Sequence, residues 1–95
     1  MSKRLGGKQK LDKSHLDSVP DKPGVYVIRN KKGDVQYVGM SKQLKTRIAQ
    51  HADQKDVPGA SSVQTRTTRS EKRAQRLEED YIKRYKPKYN IQKNK

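Results

Sequence analysis

The 95-residue chain has no cysteine, no tryptophan and no phenylalanine, and its 24 lysines and arginines face only 10 acidic residues. Without cysteine there is no disulfide staple, no thiolate nucleophile and no thiolate-bound zinc, which fits an intracellular protein. The basic start, Met1-Ser-Lys-Arg-Leu-Gly-Gly-Lys, leads into no apolar run of seven or more, so neither a signal peptide nor a membrane span is expected. Large apolar side chains are scarce too. Sixteen Leu, Ile and Val in 95 positions fall below the roughly 20% line under which high charge suggests disorder. The length suffices for one small domain with a thin core and excludes a multi-domain reading.

A folded domain is still indicated, because the branched apolar residues are concentrated. They cluster in Val25 to Ile28, Val35 to Val38 and Leu44 to Ile48, and most of the charge lies outside. A net charge of +14 on so short a chain implies an anionic polymer as partner, most simply nucleic acid, bound in a salt-dependent way. A cytoplasmic, nucleoid-associated protein is therefore expected, with DNA and no membrane among its partners. Residues 1–15 read as a flexible basic arm, 16–91 as the domain, and 92–95 as a basic tail.

Val25-Tyr26-Val27-Ile28-Arg29 and Val35-Gln36-Tyr37-Val38 are β-branched and aromatic, and Asn30 to Asp34 supplies turn chemistry between them. A hairpin is predicted. A four-residue loop, Asn30 to Gly33, would set Arg29 opposite Asp34 and Tyr26 opposite Tyr37 on one face; a fifth loop residue would break that pairing. After Gly39, Ser41 is a candidate helix cap, with Leu44, Ile48 and Ala52 on one stripe and Arg47 and His51 four apart beside it. Ser62 to Thr67 reads as a third strand. Thr68-x-x-Glu71 has capping-box spacing for a helix of about 16 residues that stops near Tyr85, before Pro87.

On that last helix Ala74, Leu77, Tyr81, Ile82 and Tyr85 share an arc, and Glu78 falls inside it. A carboxylate facing the packed side needs a cation. Spacing alone leaves three possibilities open: an ion pair with Arg47, a glutamate at the rim, or a metal ligand.

Pro23-Gly24-Val25-Tyr26, Tyr37-Val38-Gly39, Arg47, Leu77-Glu78 with Ile82-Lys83, and Pro87 with Asn90 occur in an order and spacing that resembles the GIY-YIG nucleases. The resemblance covers roughly residues 19 to 91. It is nearest to the N-terminal incision domain of bacterial excision-repair nucleases and to small stand-alone members. It implies a single α/β (α+β) domain of ββαβα order, with a three-stranded, mainly antiparallel sheet flanked by helices. The implied activity is divalent-metal-dependent hydrolysis of DNA phosphodiesters, in a DNA-repair context.

By that resemblance Glu78 holds Mg²⁺ or Mn²⁺ and Arg47 offsets the charge growing on the scissile phosphate. Tyr26 or Tyr37 orients or deprotonates the attacking water, with Tyr26 preferred, and His51 accepts a proton from it. A phenol titrates near pKa 10, so a base at neutral pH needs nearby cations such as Arg47 or the metal to lower it. Tyr81 and Tyr85 are assigned to packing. Asn90 contacts phosphate or backbone, and Lys42, Lys45, Arg66, Arg69, Lys86 and Lys88 are candidate nucleic-acid contacts. One departure stands out: Met40 follows Tyr37-Val38-Gly39 where the excision-repair branch carries lysine. A second reading is a binding module of the same fold that does not cut, and a third is an RNA-directed nuclease. A chain this short leaves no room for a separate reading domain, so specificity is expected to be low unless a protein partner supplies it.

Overall fold

The computed structural model describes residues 9–12, 16–17 and 19–87. Its elements follow in the order β1 (Gln9–Lys10), β2 (Gly24–Arg29), β3 (Val35–Ser41), α1 (Leu44–Gln54), β4 (Ser62–Thr67) and α2 (Glu71–Tyr85). The class is α+β as expected. All strands join one antiparallel sheet in the order β1-β4-β2-β3, so it has four strands instead of three.

The additional strand comes from the segment expected to be a flexible arm. Gln9 and Lys10 pair with Val63 and Ser62, and the Leu11 N–H donates to the Ser61 carbonyl at 3.0 Å. Leu11 also packs against the core. Backbone pairing along an open sheet edge does not depend on side-chain composition, which is why this strand has no sequence signal. The remainder of the expected arm apart from Asp12, the tail, and the candidate residues Lys88 and Asn90 lie outside the described residues.

Strand alternation divides the core between two faces. Tyr26, Ile28 and Val63 point to one face and are covered by Leu44 and Ile48 of α1, with Leu16, Val19 and Val57 closing the sides. Val25, Val27 and Val38 point to the other and are covered by Ala74 and Tyr81 of α2. The thin core expected from composition is thus two small cores sharing one sheet.

The hairpin register differs from the expected one. Five residues separate β2 from β3, Arg29 pairs with Val35, Ile28 with Tyr37, and Tyr26 with Gly39. The Asn30 carboxamide holds the longer turn, its Oδ1 accepting from the Lys32 and Asp34 N–H groups at 2.9 Å each. Gly33 supplies the positive φ of 93°. A bulge at the Ile28/Arg29 step restores the phase, so Tyr26 and Tyr37 still share a face, as diagonal neighbours.

Both helix starts also differ in detail. Ser41 ends β3, and its hydroxyl accepts from the Gln43 N–H at 3.0 Å in a turn ahead of α1. The free Thr46 N–H of α1 donates to Asp21 Oδ1 at 3.1 Å, a cap from 25 residues upstream that no local motif reveals. In α2 the cap is Ser70, whose hydroxyl accepts from the Arg73 N–H at 3.2 Å. Thr68 instead donates to the Ser70 carbonyl at 2.7 Å, so the cap lies two residues beyond the expected one, and with Arg73 at its third position it forms no capping box. The helix stops at Tyr85 as anticipated, through a left-handed Lys86.

Candidate active site

Two glycines set the geometry. A Cβ on Gly24 would collide with the Arg66 carbonyl and stand 2.7 Å from Leu44 Cδ1, so the start of β2 lies directly against β4 and α1. A Cβ on Gly39 would collide with the hydroxyl end of the Tyr26 ring. Because Tyr26 and Gly39 are paired on β2 and β3, the phenol lies flat across β3, the outer strand of the sheet. Only a residue without a side chain leaves that path open.

Around the Tyr26 hydroxyl the structure gathers the other predicted residues of this face. Tyr26 is 1% exposed and His51 3%, and the hydroxyl lies 2.7 Å from His51 Nε2. The Arg47 guanidinium and the Tyr37 hydroxyl both stand close enough to act on the same hydroxyl. The Tyr37 ring is 6.0 Å from that of Tyr26 and 5.2 Å from His51, centroid to centroid. Their origin is regular: Arg47 and His51 stand one turn apart on α1, beside the Leu44 and Ile48 stripe that docks on the sheet.

The sequence reading missed Asp56. Its carboxylate lies 2.7 Å from His51 Nδ1, giving a continuous Tyr26, His51, Asp56 chain. An aspartate five positions after a histidine has no helical meaning, since neighbours on a helix are three or four apart. Here α1 ends at Gln54, and Lys55 turns left-handed at φ 51° with its N–H donating to the His51 carbonyl at 2.8 Å. That reversal carries Asp56 back onto the imidazole.

Burial governs the titration of the phenol. Loss of hydration pushes the Tyr26 pKa far above its ordinary value, the neighbouring Tyr37 adds to this, and Arg47 only partly pulls it back. Arg47 lowers this pKa as expected, but burial outweighs it, so the phenol stays protonated at neutral pH. For Arg47, partial burial opposes the charge, but Tyr26, Tyr37 and Asp56 outweigh it and raise the guanidinium pKa. It remains a cation beside a neutral phenol.

Glu78 is only 8% exposed and faces the sheet from α2, between Ala74 and Tyr81. Its helix covers the Val25 and Val27 face, whereas Arg47 and His51 ride on the helix covering the Tyr26 face. The acidic residue and the phenols thus approach from opposite faces, and α2 packs on β3 as well as β2, beside the strand that the Tyr26 ring crosses. Among the described residues no three His, Asp or Glu side chains stand together as a metal cluster. An ion here would hold to the protein through one carboxylate, with water and phosphate completing its shell. That donor set suits Mg²⁺.

Of the candidate nucleic-acid contacts, Arg66 and Arg69 line an open groove of about 810 Å³ with Lys22, Lys72, Arg73 and Arg76, against the single acid Asp80. Arg66 also donates to Tyr81. Lys42 is exposed and 3.8 Å from Glu71, Lys45 is half-buried and Lys86 is exposed. Tyr81 and Tyr85 pack on each other at 5.8 Å, with Arg29 over the Tyr85 ring, as a packing role requires.

Comparison with known proteins places this geometry in context. A sequence model of the UvrC-like GIY-YIG domain matches residues 22–91. The chain is 37% identical over 91 residues to UvrABC system protein C of Petrotoga mobilis, covering 85% of the chain and 16% of that protein. Against the same protein of Clostridium acetobutylicum it is 42% identical over 85 residues, covering 80% and 14%. It therefore spans about one-seventh of the length of these curated relatives. The crystal structure of the GIY-YIG N-terminal endonuclease domain of UvrC from Thermotoga maritima, bound to magnesium as its catalytic divalent cation, superposes with a TM-score of 0.66 at 31% identity. That match covers 80% of this chain and 91% of the other. An asparagine-to-alanine variant of the same domain, also with its catalytic cation, gives 0.69 at 30% identity, covering 80% and 90%.

Proposed function

The chain belongs to the UvrC-like GIY-YIG family, and from that premise we propose that it is a divalent-metal-dependent endonuclease hydrolysing DNA phosphodiesters inside the cell. The observation carrying this reading is the polar set around the buried Tyr26 hydroxyl: buried His51 with half-buried Arg47 and Tyr37, gathered over Gly39. Burying so many polar groups costs stability unless they serve each other or a ligand. A module that only gripped phosphates would need surface cations and no buried phenol–imidazole pair.

Glu78 is the residue that would hold Mg²⁺ or Mn²⁺ at the β3 edge. Bound there, the ion supplies positive charge for the phosphate and its leaving oxygen. The chain's own residues do the rest. Tyr26 is the base: as it takes a proton from water, its phenolic proton passes to His51 Nε2, so no free tyrosinate has to accumulate in a buried site that disfavours it. Arg47, held charged, offsets the negative charge on the phosphoryl oxygens. Tyr37, half-buried beside Tyr26, orients the water. Met40 supplies no cation where the excision-repair branch has lysine, so the positive charge beside the phenol comes from Arg47.

The basic groove between β4 and α2 carries the phosphate backbone beyond the reacting group. Such contacts position a duplex without reading its bases, so selectivity comes from DNA shape or from a protein partner. The experiment is to incubate supercoiled plasmid with the wild-type chain plus Mg²⁺, with EDTA, and with Glu78→Gln plus Mg²⁺, alongside a matched RNA. Nicking of the plasmid only by the wild type with Mg²⁺ is expected. Binding without nicking in every sample would establish a binding module, and cleavage of RNA alone would establish the RNA-directed reading.

A further inference from the structure

We propose that Asp56 is a positioning residue, fixing His51 in the one tautomer able to accept the proton of Tyr26. The inference rests on the proposed hydrolytic role of Tyr26 and extends it to a residue in the loop after α1 that no motif marks. The His51 ring is held at both nitrogens, by Asp56 Oδ1 at 2.7 Å from Nδ1 and by the Tyr26 hydroxyl at 2.7 Å from Nε2.

A carboxylate offers only acceptors, so the hydrogen of a neutral imidazole sits on Nδ1 and the lone pair of Nε2 faces the phenol. The phenol donates its single hydrogen to Nε2, leaving its oxygen to receive Arg47. In the other tautomer, Nε2–H would point at the phenol and Nδ1 would set a lone pair against the carboxylate. The phenolic hydrogen would then lose its imidazole acceptor in a site where Tyr26 is 1% exposed.

The placement is built into the backbone. Lys55 is one of only two residues other than glycine with positive φ among the described residues, and its turn brings Asp56 back to the end of α1, where buried Val57 pins the following chain. Also near His51 are Tyr26 on β2, Tyr37 on β3 with its ring 5.2 Å away, and Arg47 one turn earlier on α1. None of them presents a carboxylate, so Asp56 alone of these neighbours fixes the proton on Nδ1.

During turnover the proton balance is simple. Water loses a proton to the Tyr26 oxygen as its own oxygen bonds to phosphorus, the phenolic proton moves to Nε2, and the P–O bond to the leaving alcohol breaks. The alcohol oxygen takes a proton from solvent. The imidazolium so formed lies against the Asp56 carboxylate, whose side chain is 40% exposed, and returns its proton to solvent between turnovers.

The test uses the full chain with ¹⁵N-labelled histidine, reading the two ring nitrogens of His51 by long-range ¹H–¹⁵N spectra, together with single-turnover cleavage and DNA affinity. The wild type should show a protonated Nδ1 and an unprotonated Nε2. Asp56→Ala should lose that preference and cleave about 100-fold more slowly, the range of a displaced acid–base partner, with unchanged Kd for DNA. Asp56→Glu should recover part of the rate, and Asp56→Leu, close in volume and without an acceptor, serves if the alanine variant melts early. A wild-type Nε2–H tautomer, or an Asp56→Ala protein with both the preference and the rate intact, would overturn the proposal. Should the wild type fail to cut DNA at all, the functional reading falls, while the spectrum still decides whether Asp56 sets the tautomer.

Discussion

The Tyr26 hydroxyl occupies the space that a side chain on Gly39 would fill. The two residues are paired across β2 and β3, so the glycine is what allows the buried phenol to reach across β3, an edge strand of the sheet. The relationship ties a motif glycine to the chemistry instead of to the turn alone.

It follows that Gly39→Ala should displace the phenol. A shift of about 1 Å in a reacting group lowers rate by roughly 100-fold, and overpacking of this kind lowers stability by about 1–3 kcal/mol. Single-turnover cleavage and urea unfolding would measure the two effects separately. Wild-type cleavage by this variant would show that the path over Gly39 is unused.

Tyr26 should also make the fold sensitive to alkali. Its folded pKa lies above the ordinary phenol value, so its contribution to stability is complete below about pH 10. As pH rises from there toward the folded value, the unfolded chain releases a proton that the folded chain keeps, and stability falls by about 1.4 kcal/mol per pH unit from this group. Tyr81, also raised by burial, acts in the same direction. Urea midpoints taken on both sides of about pH 10 should therefore decline more steeply for the wild type than for Tyr26→Phe. Identical slopes would contradict the burial argument.

The groove makes a separate prediction about binding. Arg69 and Arg73 are exposed and line it, so replacing each with glutamine should weaken binding to unrelated duplexes about equally. Each loss should lower the slope of log affinity against log salt by about 1. Fluorescence anisotropy at several salt concentrations measures this, and cleavage at saturating DNA should stay near the wild-type rate. A loss confined to one sequence would instead mark the groove as a base reader.

Much of this organisation is legible in the residues. Branched clusters marked β2, β3 and α1, the arc on α2 put Ala74, Glu78 and Tyr81 on its buried side, and the spacing of Tyr26, Tyr37, Arg47 and His51 identified the groups that meet around the phenol. What escaped depends on contacts between distant segments or on single dihedral angles. Asp21 caps α1 from 25 residues away, and β1 exists because an open edge of β4 accepts any backbone. Asp56 reaches His51 only because Lys55 turns left-handed, and lysine carries no signal for that conformation. The hairpin register moved because the side chain of Asn30 closes a five-residue turn.

Convergence of two sheet faces on a single phosphate is tested most directly by a double-mutant cycle between Tyr26→Phe and Glu78→Gln. The readout is the single-turnover cleavage rate of one labelled duplex at saturating Mg²⁺. Groups acting together in one transition state are strongly non-additive, so the double variant should be about as slow as the slower single one. Losses that multiply, or a Glu78→Gln protein that cuts at the wild-type rate, would mean that the carboxylate and the phenol do not serve the same centre.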